Sequence, residues 1–238
     1  MRIGSLFAGI GGFDLAASWL GWTTAWFSEI DPYASAVLQK HWPGVPNHGD
    51  ITKIDFTQVE PVDMLCGGFP CQDISNAGKR AGIDGERSGL WREYARAIRE
   101  LRPRYVVVEN VAALSFRGLG RVLGDLAAIR YDAEWHVIPA CSLGAPHERE
   151  RCWIIAHPAH HTGLHQPYCG QATQRLLNDP PAWPACPWDA PEAGVCRMDD
   201  GIPNRVDRTS ALGNAVVPQV ALVIFSAIQE AEEKLRAA

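Results

Sequence analysis

The run Tyr105-Val106-Val107-Val108 contains no charged position. A β-branched stretch of this kind predicts a strand of a parallel sheet, covered by helices on both faces. The rest of the chain matches that demand. Arg2 to Phe7, Thr23 to Ser28, Val62 to Cys66, Ala133 to Pro139 and Cys152 to Ala156 read as further strands. Phe13 to Leu20 and Pro32 to Lys40 read as helices. So do the stretches marked by Trp91, Tyr94, Ala95, Ile98 and Leu101, and by Leu119, Val122, Leu123, Leu126 and Ile129. This alternation argues an α/β fold with a doubly wound, mostly parallel sheet. The regularity stops at His157. Residues 157–204 hold eight of the 17 prolines, with Trp183 and Trp188, and predict a small loop-rich insert. Order returns at Leu212 to Pro218, before a helix to about Leu235 that should pack back on the sheet.

A length of 238 residues suits one large α/β domain, or one domain with an insert. Seven irregularly spaced cysteines make no disulfide framework and point to free thiols in a reducing, cytosolic compartment. Met1 to Trp22 has the outline of a secretory signal, but Asp14 and three glycines interrupt its apolar run. Ala215 to Ile228 is too short to span a bilayer and contains Pro218 and Gln219. The net charge of −5 argues against a bulk nucleic-acid binder. Its distribution is uneven. Residues 1–78 carry three Lys/Arg against eight acids, whereas residues 79–104 carry eight Lys/Arg against four acids. That basic run, with Arg92, Arg96, Arg99 and Arg102 on one helix face, is either a solvated surface or a phosphate-binding one.

Three stretches carry candidate chemistry. Ala8-Gly9-Ile10-Gly11-Gly12 is a glycine turn between strand and helix, the unit that cradles nucleotides. A dinucleotide fingerprint starting at Gly9 would need glycine where Asp14 stands. A carboxylate there suits a cationic cofactor, such as the ammonium and sulfonium of S-adenosylmethionine, better than a pyrophosphate. Glu29, at the end of the second strand, is placed to hold ribose hydroxyls or to sit at a helix N-terminus. His48-Gly49-Asp50-Ile51 lies where a third strand should end, and Asp50 is either an adenine contact or a turn residue. Gly67-Gly68 then stop the strand Val62 to Cys66, and Pro70 stiffens the turn that leaves Cys71 at its carboxyl end, where ligands collect in open α/β sheets. Cys71 is a candidate nucleophile, a buried structural thiol, or half of a metal site with Cys66. Glu109 ends the next strand as a second ionisable group. Asp73 to Gly89, with four glycines, is a long loop placed to close over a site.

In this order, the chain resembles the DNA cytosine-5 methyltransferases. Phe7-Ala8-Gly9-Ile10-Gly11-Gly12-Phe13 resembles the family's first motif, for S-adenosylmethionine. Glu29, Asp50, Pro70-Cys71-Gln72, Glu109-Asn110-Val111, Arg149-x-Arg151 and Gly213-Asn214-Ala215-Val216-Val217-Pro218 match in sequence. Two departures stand out: His147 replaces the family's usual glutamine, and the insert is very short. The compact build is similar to phage or prophage members, and the family implies a place in restriction-modification.

The resemblance implies a fold of the class I S-adenosylmethionine-dependent methyltransferase type. It implies residues 1–156 plus 208–238 as catalytic and cofactor-binding domain, and 157–207 as a short target-recognition region. It implies S-adenosylmethionine held by Phe7, Ala8, Gly9, Gly11, Gly12, Glu29, Ile30, Asp50, Ile51, Pro70, Leu90, Asn214 and Ala215. It implies catalysis by Cys71, Glu109, Arg149 and Arg151 on a cytosine flipped out of double-stranded DNA. Cysteine suits that chemistry because its thiolate can add to C6 and turn the ring into an enamine, whose C5 then attacks a methyl group. A carboxyl raised by burial, Glu109, can hold N3. The family type further implies a monomer in the bacterial cytoplasm with no membrane partner. Competing expectations are an RNA cytosine-5 methyltransferase, a non-catalytic DNA-binding relative, a dinucleotide-dependent oxidoreductase and a folate-dependent nucleotide methylase. No metal is expected, although His157, His160, His161, His165, Cys169, Cys186 and Cys196 gather in and near the insert without a familiar zinc spacing.

Overall fold

The computed structural model describes residues 1–70, 89–159, 168–179 and 212–237. Six strands form one sheet: β1 (Arg2–Leu6), β2 (Thr23–Ser28), β3 (Met64–Gly67), β4 (Tyr105–Val111), β5 (Tyr131–Ile138) and β6 (Arg151–Pro158). Their order is β2-β1-β3-β4-β6-β5. β1 pairs in parallel with β2 and β3, and β3 with β4, while β6 runs antiparallel between β4 and β5. Five strands therefore share one direction. The chain moves outward from β1 to β2, then returns to place β3 on the other side of β1. A crevice opens at such a reversal, beyond the strands' carboxyl ends.

The helices are α1 (Gly12–Trp19), α2 (Pro32–His41), α3 (Gly89–Leu101), α4 (Leu114–Arg117), α5 (Leu119–Ala128), α6 (Tyr168–Asn178) and α7 (Pro218–Ala237). The expectation of a strand buried on both faces holds at β4. Val106 and Val108 pack with Trp91, Tyr94 and Ile98 of α3 and with Val122 and Leu126 of α5. Tyr105 and Val107 face the other way, into a core shared with Phe13 and the apolar stripe Val220–Ile228 of α7. α7 is long and apolar enough to cross a membrane by composition, yet that stripe is fully used against the sheet. Glu232 fixes its far end, accepting from Arg104 at 2.5 and 2.6 Å and from the Tyr105 hydroxyl at 2.9 Å.

Four expectations need correction. No third strand ends at Asp50: residue 47 makes a single bridge to Phe27, and a 3-10 turn, Ile51–Lys53, follows. β6 extends through His157 and Pro158, because its pairing with β5 continues to Tyr131. The region 157–207 is not wholly loop, since α6 lies in it and buries Thr173 and Leu176. Two arginines of the basic helix face, Arg96 and Arg102, are committed within the fold. Arg96 donates to Ile51 and Ile54 carbonyls, pairs with Glu93 and Glu100, and stacks on Phe56. Arg102 donates to the Ile129 carbonyl and covers Tyr131. The loop 73–88 and most of the His/Cys cluster lie outside the described residues; among the described residues no metal-binding group occurs.

Asp14 departs furthest from its expected place. It is 1% exposed on α1 and accepts from Ser5 Oγ at 3.1 Å and Thr24 Oγ1 at 2.8 Å, facing the sheet and not the crevice. Burial raises its pKa to about 6, against the lowering effect of those two hydroxyls. A pKa raised on folding stabilises fully below the unfolded value of 3.8 and is lost as pH rises through about 6. The full cost of ionising it is about 3 kcal/mol, of which roughly 1 kcal/mol falls between pH 5 and 7. Asp14→Asn is expected to gain on the wild type by that amount over this range, measured by urea unfolding at each pH.

Candidate active site

The carboxyl ends of β1, β2, β3 and β4 surround a cavity of about 470 Å³. Glu29, at the end of β2, builds one wall. Its carboxylate accepts from Gly9 N at 2.7 Å and Asp31 N at 2.8 Å, so one side chain fixes both the glycine turn and the entry to α2. Asp31, not Glu29, caps that helix, through Ala34 N. Asp50 caps the short turn after it, and its hydrogen bonds from Thr52 hold its carboxyl below the usual range.

The opposite wall comes from β3 and β4. Asn110 is buried, and its side chain donates to the Phe69 carbonyl at 3.0 Å while accepting from Val111 N. The turn Gly68-Phe69-Pro70 is thereby tied to the end of β4. Glu109 lies beside it, 8% exposed, with Oε1 2.9 Å from Arg151 Nε. Burial pushes the Glu109 carboxyl up, and the Arg151 and Arg149 guanidiniums pull the other way; burial is the larger effect. The strand parity explains the pair. Glu109 faces Trp153 in register and Val111 faces Arg151, so Arg151 starts β6 diagonally across from the carboxylate.

Most expected contacts gather here. Phe7, Gly9, Glu29, Ile30, Asp50, Ile51, Pro70, Leu90, Asn214, Glu109 and Arg151 line the cavity. Cys71, one bond beyond Pro70, lies outside the described residues. Five expected residues are not on the wall. Ala8 packs with Phe27 and Leu38. Gly11 has φ +86° and closes on the Trp42 ring. Gly12 lies under the Val216 carbonyl, which a Cβ would meet at 2.6 Å. The Ala215 carbonyl accepts from Arg149, and Arg149 in turn is spent on this segment. These residues shape the cavity from behind. Ser28 and Gly68 line it without having been named as site residues. Nothing in the sequence separates Ser28 from an ordinary strand residue, whereas Gly68 stood in plain view as a strand breaker.

Glu29, Asp31 and Asp50 put three carboxylates on the cavity, and the one cation among its described lining residues, Arg151, pairs with Glu109. Such a wall repels phosphate and favours a ligand bearing positive charge. Ile30 is 72% exposed at the same place, a large apolar surface that a ring could cover. Both observations fit S-adenosylmethionine.

An open α/β sheet with one antiparallel strand and an acidic crevice at its reversal defines the class I methyltransferase type. Comparison with known proteins narrows it. A family model for C-5 cytosine-specific DNA methylase matches residues 1–173, and the chain belongs to that family. It is 37% identical over 164 residues to the type II methyltransferase M2.BsuMI of Bacillus subtilis, covering 66% of this chain and 42% of that protein. It is 40% identical over 155 residues to M1.ScrFI of Lactococcus lactis, covering 63% of this chain and 40% of that protein. The chain thus spans well under half the length of these relatives. Among solved structures, a DNA modification methyltransferase encoded within an E. coli prophage superposes with a TM-score of 0.55 at 23% identity, covering 66% of this chain and 47% of the other.

The Glu109 wall depends on one close approach. A Cβ at Gly68 would stand 2.7 Å from Glu109 Oε2. Gly68→Ala is expected to drive the carboxylate off Arg151 and lower stability by about 1–3 kcal/mol, measured by urea unfolding. Unchanged stability would mean that the carboxylate yields without cost.

Proposed function

We propose that this protein transfers a methyl group from S-adenosylmethionine to C5 of a cytosine flipped out of double-stranded DNA. The observation that carries the reading is the Glu109–Arg151 pair, set in the same cavity as the acidic cofactor wall. When bound, S-adenosylmethionine supplies an electrophilic methyl group. Cys71 follows directly on Pro70 in the sequence, and Pro70 lines that cavity. The Cys71 thiolate adds to C6 of the ring. Glu109, kept protonated to higher pH by burial, donates to N3 and stabilises the charge that this addition creates. Arg151 orients Glu109 and is assigned to the ring's O2. C5 would then take the methyl group as its bond to the donor's sulfonium breaks, and loss of the C5 proton to water would expel the thiolate.

Glu29 and Asp50 are assigned to the ribose and adenine of the cofactor, and Asn214 to its methionine end. Residues 1–156 and 208–238 form the catalytic unit on this reading, joined by α6 through its packing on α7. The remainder of 157–207 is assigned to target recognition. The protein is read as a monomer in the bacterial cytoplasm.

Cys71→Ser should abolish methyl transfer to duplex DNA while S-adenosylmethionine still binds, measured by calorimetry. Glu109→Gln should slow the reaction about 10²–10⁴-fold. With Glu109 as acid, the rate should fall as pH rises through its pKa, and Glu109→Gln should lose that alkaline limb. Retained turnover in Cys71→Ser would sink the mechanism. Transfer to transfer RNA but not to DNA would replace the substrate. Bisulfite sequencing of host DNA after expression reads activity and target site together.

A further inference from the structure

Arg149 and Arg151 are two residues apart and would share one face of an extended strand. Both guanidiniums act on the Glu109 charge, but their hydrogen-bond partners differ. Arg151 begins β6 and pairs with Glu109. Arg149 has φ +32°, a backbone conformation rarely adopted by a residue with a side chain. The residue before it is pinned, since the Glu148 carbonyl accepts from Ala140 N at 2.7 Å. This forced turn sends the Arg149 guanidinium across 64 and 66 residues of sequence to two backbone carbonyls, Gly213 at 2.9 Å and Ala215 at 2.5 Å. Between them stands Asn214, which with Gly213 lines the cavity. Strain kept at such a place is a mark of function.

The segment has one further close support. The Val216 carbonyl rests directly on Gly12, at the start of α1. Leu212 and Asn214 belong to no sheet and precede α7; among the described residues, Val216 and Val217 also pack on the core that α7 shares. Arg149 contributes two charge-assisted hydrogen bonds, the strongest kind available to a bare carbonyl.

We infer that Arg149 is a positioning residue for the methyl donor: it does not touch the reacting atoms, but holds residues 213–215 as the cavity wall that presents Asn214. The inference rests on the methyl-transfer reading and assigns one of its two arginines to a separate task. Arg151 acts on the carboxyl that serves the base; Arg149 acts on the segment that serves the donor. Because the two are separated by a single residue, donor site and base site are built from one turn.

Calorimetric binding of S-adenosylmethionine to the full chain tests this. Arg149→Ala should weaken binding about 10–100-fold, the part of the loss of two charge-assisted hydrogen bonds that reaches the donor through the segment. Arg149→Lys, which keeps one donor group, should lose about threefold, and serves alone if the alanine variant does not fold. In methyl transfer to DNA, KM for the donor should rise by the same factor while kcat at saturating donor stays within about threefold. Asn214→Ala should cost much less in the Arg149→Ala background than in the wild type, because both act through one segment. Wild-type affinity in both Arg149 variants would overturn the inference, as would additive losses, or a fall in kcat with donor affinity intact. Failure of the wild type itself to bind S-adenosylmethionine would instead remove the methyl-transfer reading.

Discussion

The site depends on backbone passing where no side chain can fit. At Gly68 the chain leaves β3 so close to β4 that the Glu109 carboxylate occupies the space a Cβ would take. At Gly67, one residue earlier, a Cβ would stand 2.3 Å from the Leu6 carbonyl of β1. The two glycines therefore let the central three strands close up at their carboxyl ends. With that spacing, Asn110 reaches the Phe69 carbonyl, Pro70 reaches the cavity, and a carboxyl can be buried beside an arginine. The raised Glu109 carboxyl is an outcome of backbone packing before it is a matter of charge.

The fold was largely legible because its signals are local. Valines at 106, 107 and 108 pack on both faces of the sheet, as a strand without a polar side requires. The glycine turn and the proline-opened helix at 32 are also set by residues near in sequence. The antiparallel direction of β6 was not legible. It follows from how the segment 139–150 returns the chain, through hydrogen bonds such as Ala140 to Glu148, and no periodicity records that. The arginines after Leu90 misled for a related reason. A positive helix face looks solvent-directed in sequence, but the carbonyls of Ile51, Ile54 and Ile129, which a long guanidinium can reach, accept from Arg96 and Arg102.

Asp14 shows the limit of reasoning from a missing glycine. The carboxylate does break the dinucleotide pattern, and the cavity is acidic, but the acidity comes from Glu29, Asp31 and Asp50. Asp14 instead joins Ser5 of β1 to Thr24 of β2 beneath α1. Its position two residues past the glycine turn puts it on the inward face of the helix. Site residues were legible where a motif residue lies at a strand's carboxyl end. At Gly11, Gly12 and Ala215 the motif residues stand behind the wall and shape its packing.

The α7 stripe has a consequence for biosynthesis. Ile3 and Phe13 share their core with Val220 to Ile228, more than 200 positions later in the chain. At about 5–20 residues per second, ribosomal synthesis leaves roughly 10–40 seconds in which β1 exists but its covering helix does not. For that interval one face of the nascent sheet is bare apolar surface, and the growing polypeptide is a client for chaperones that bind such faces.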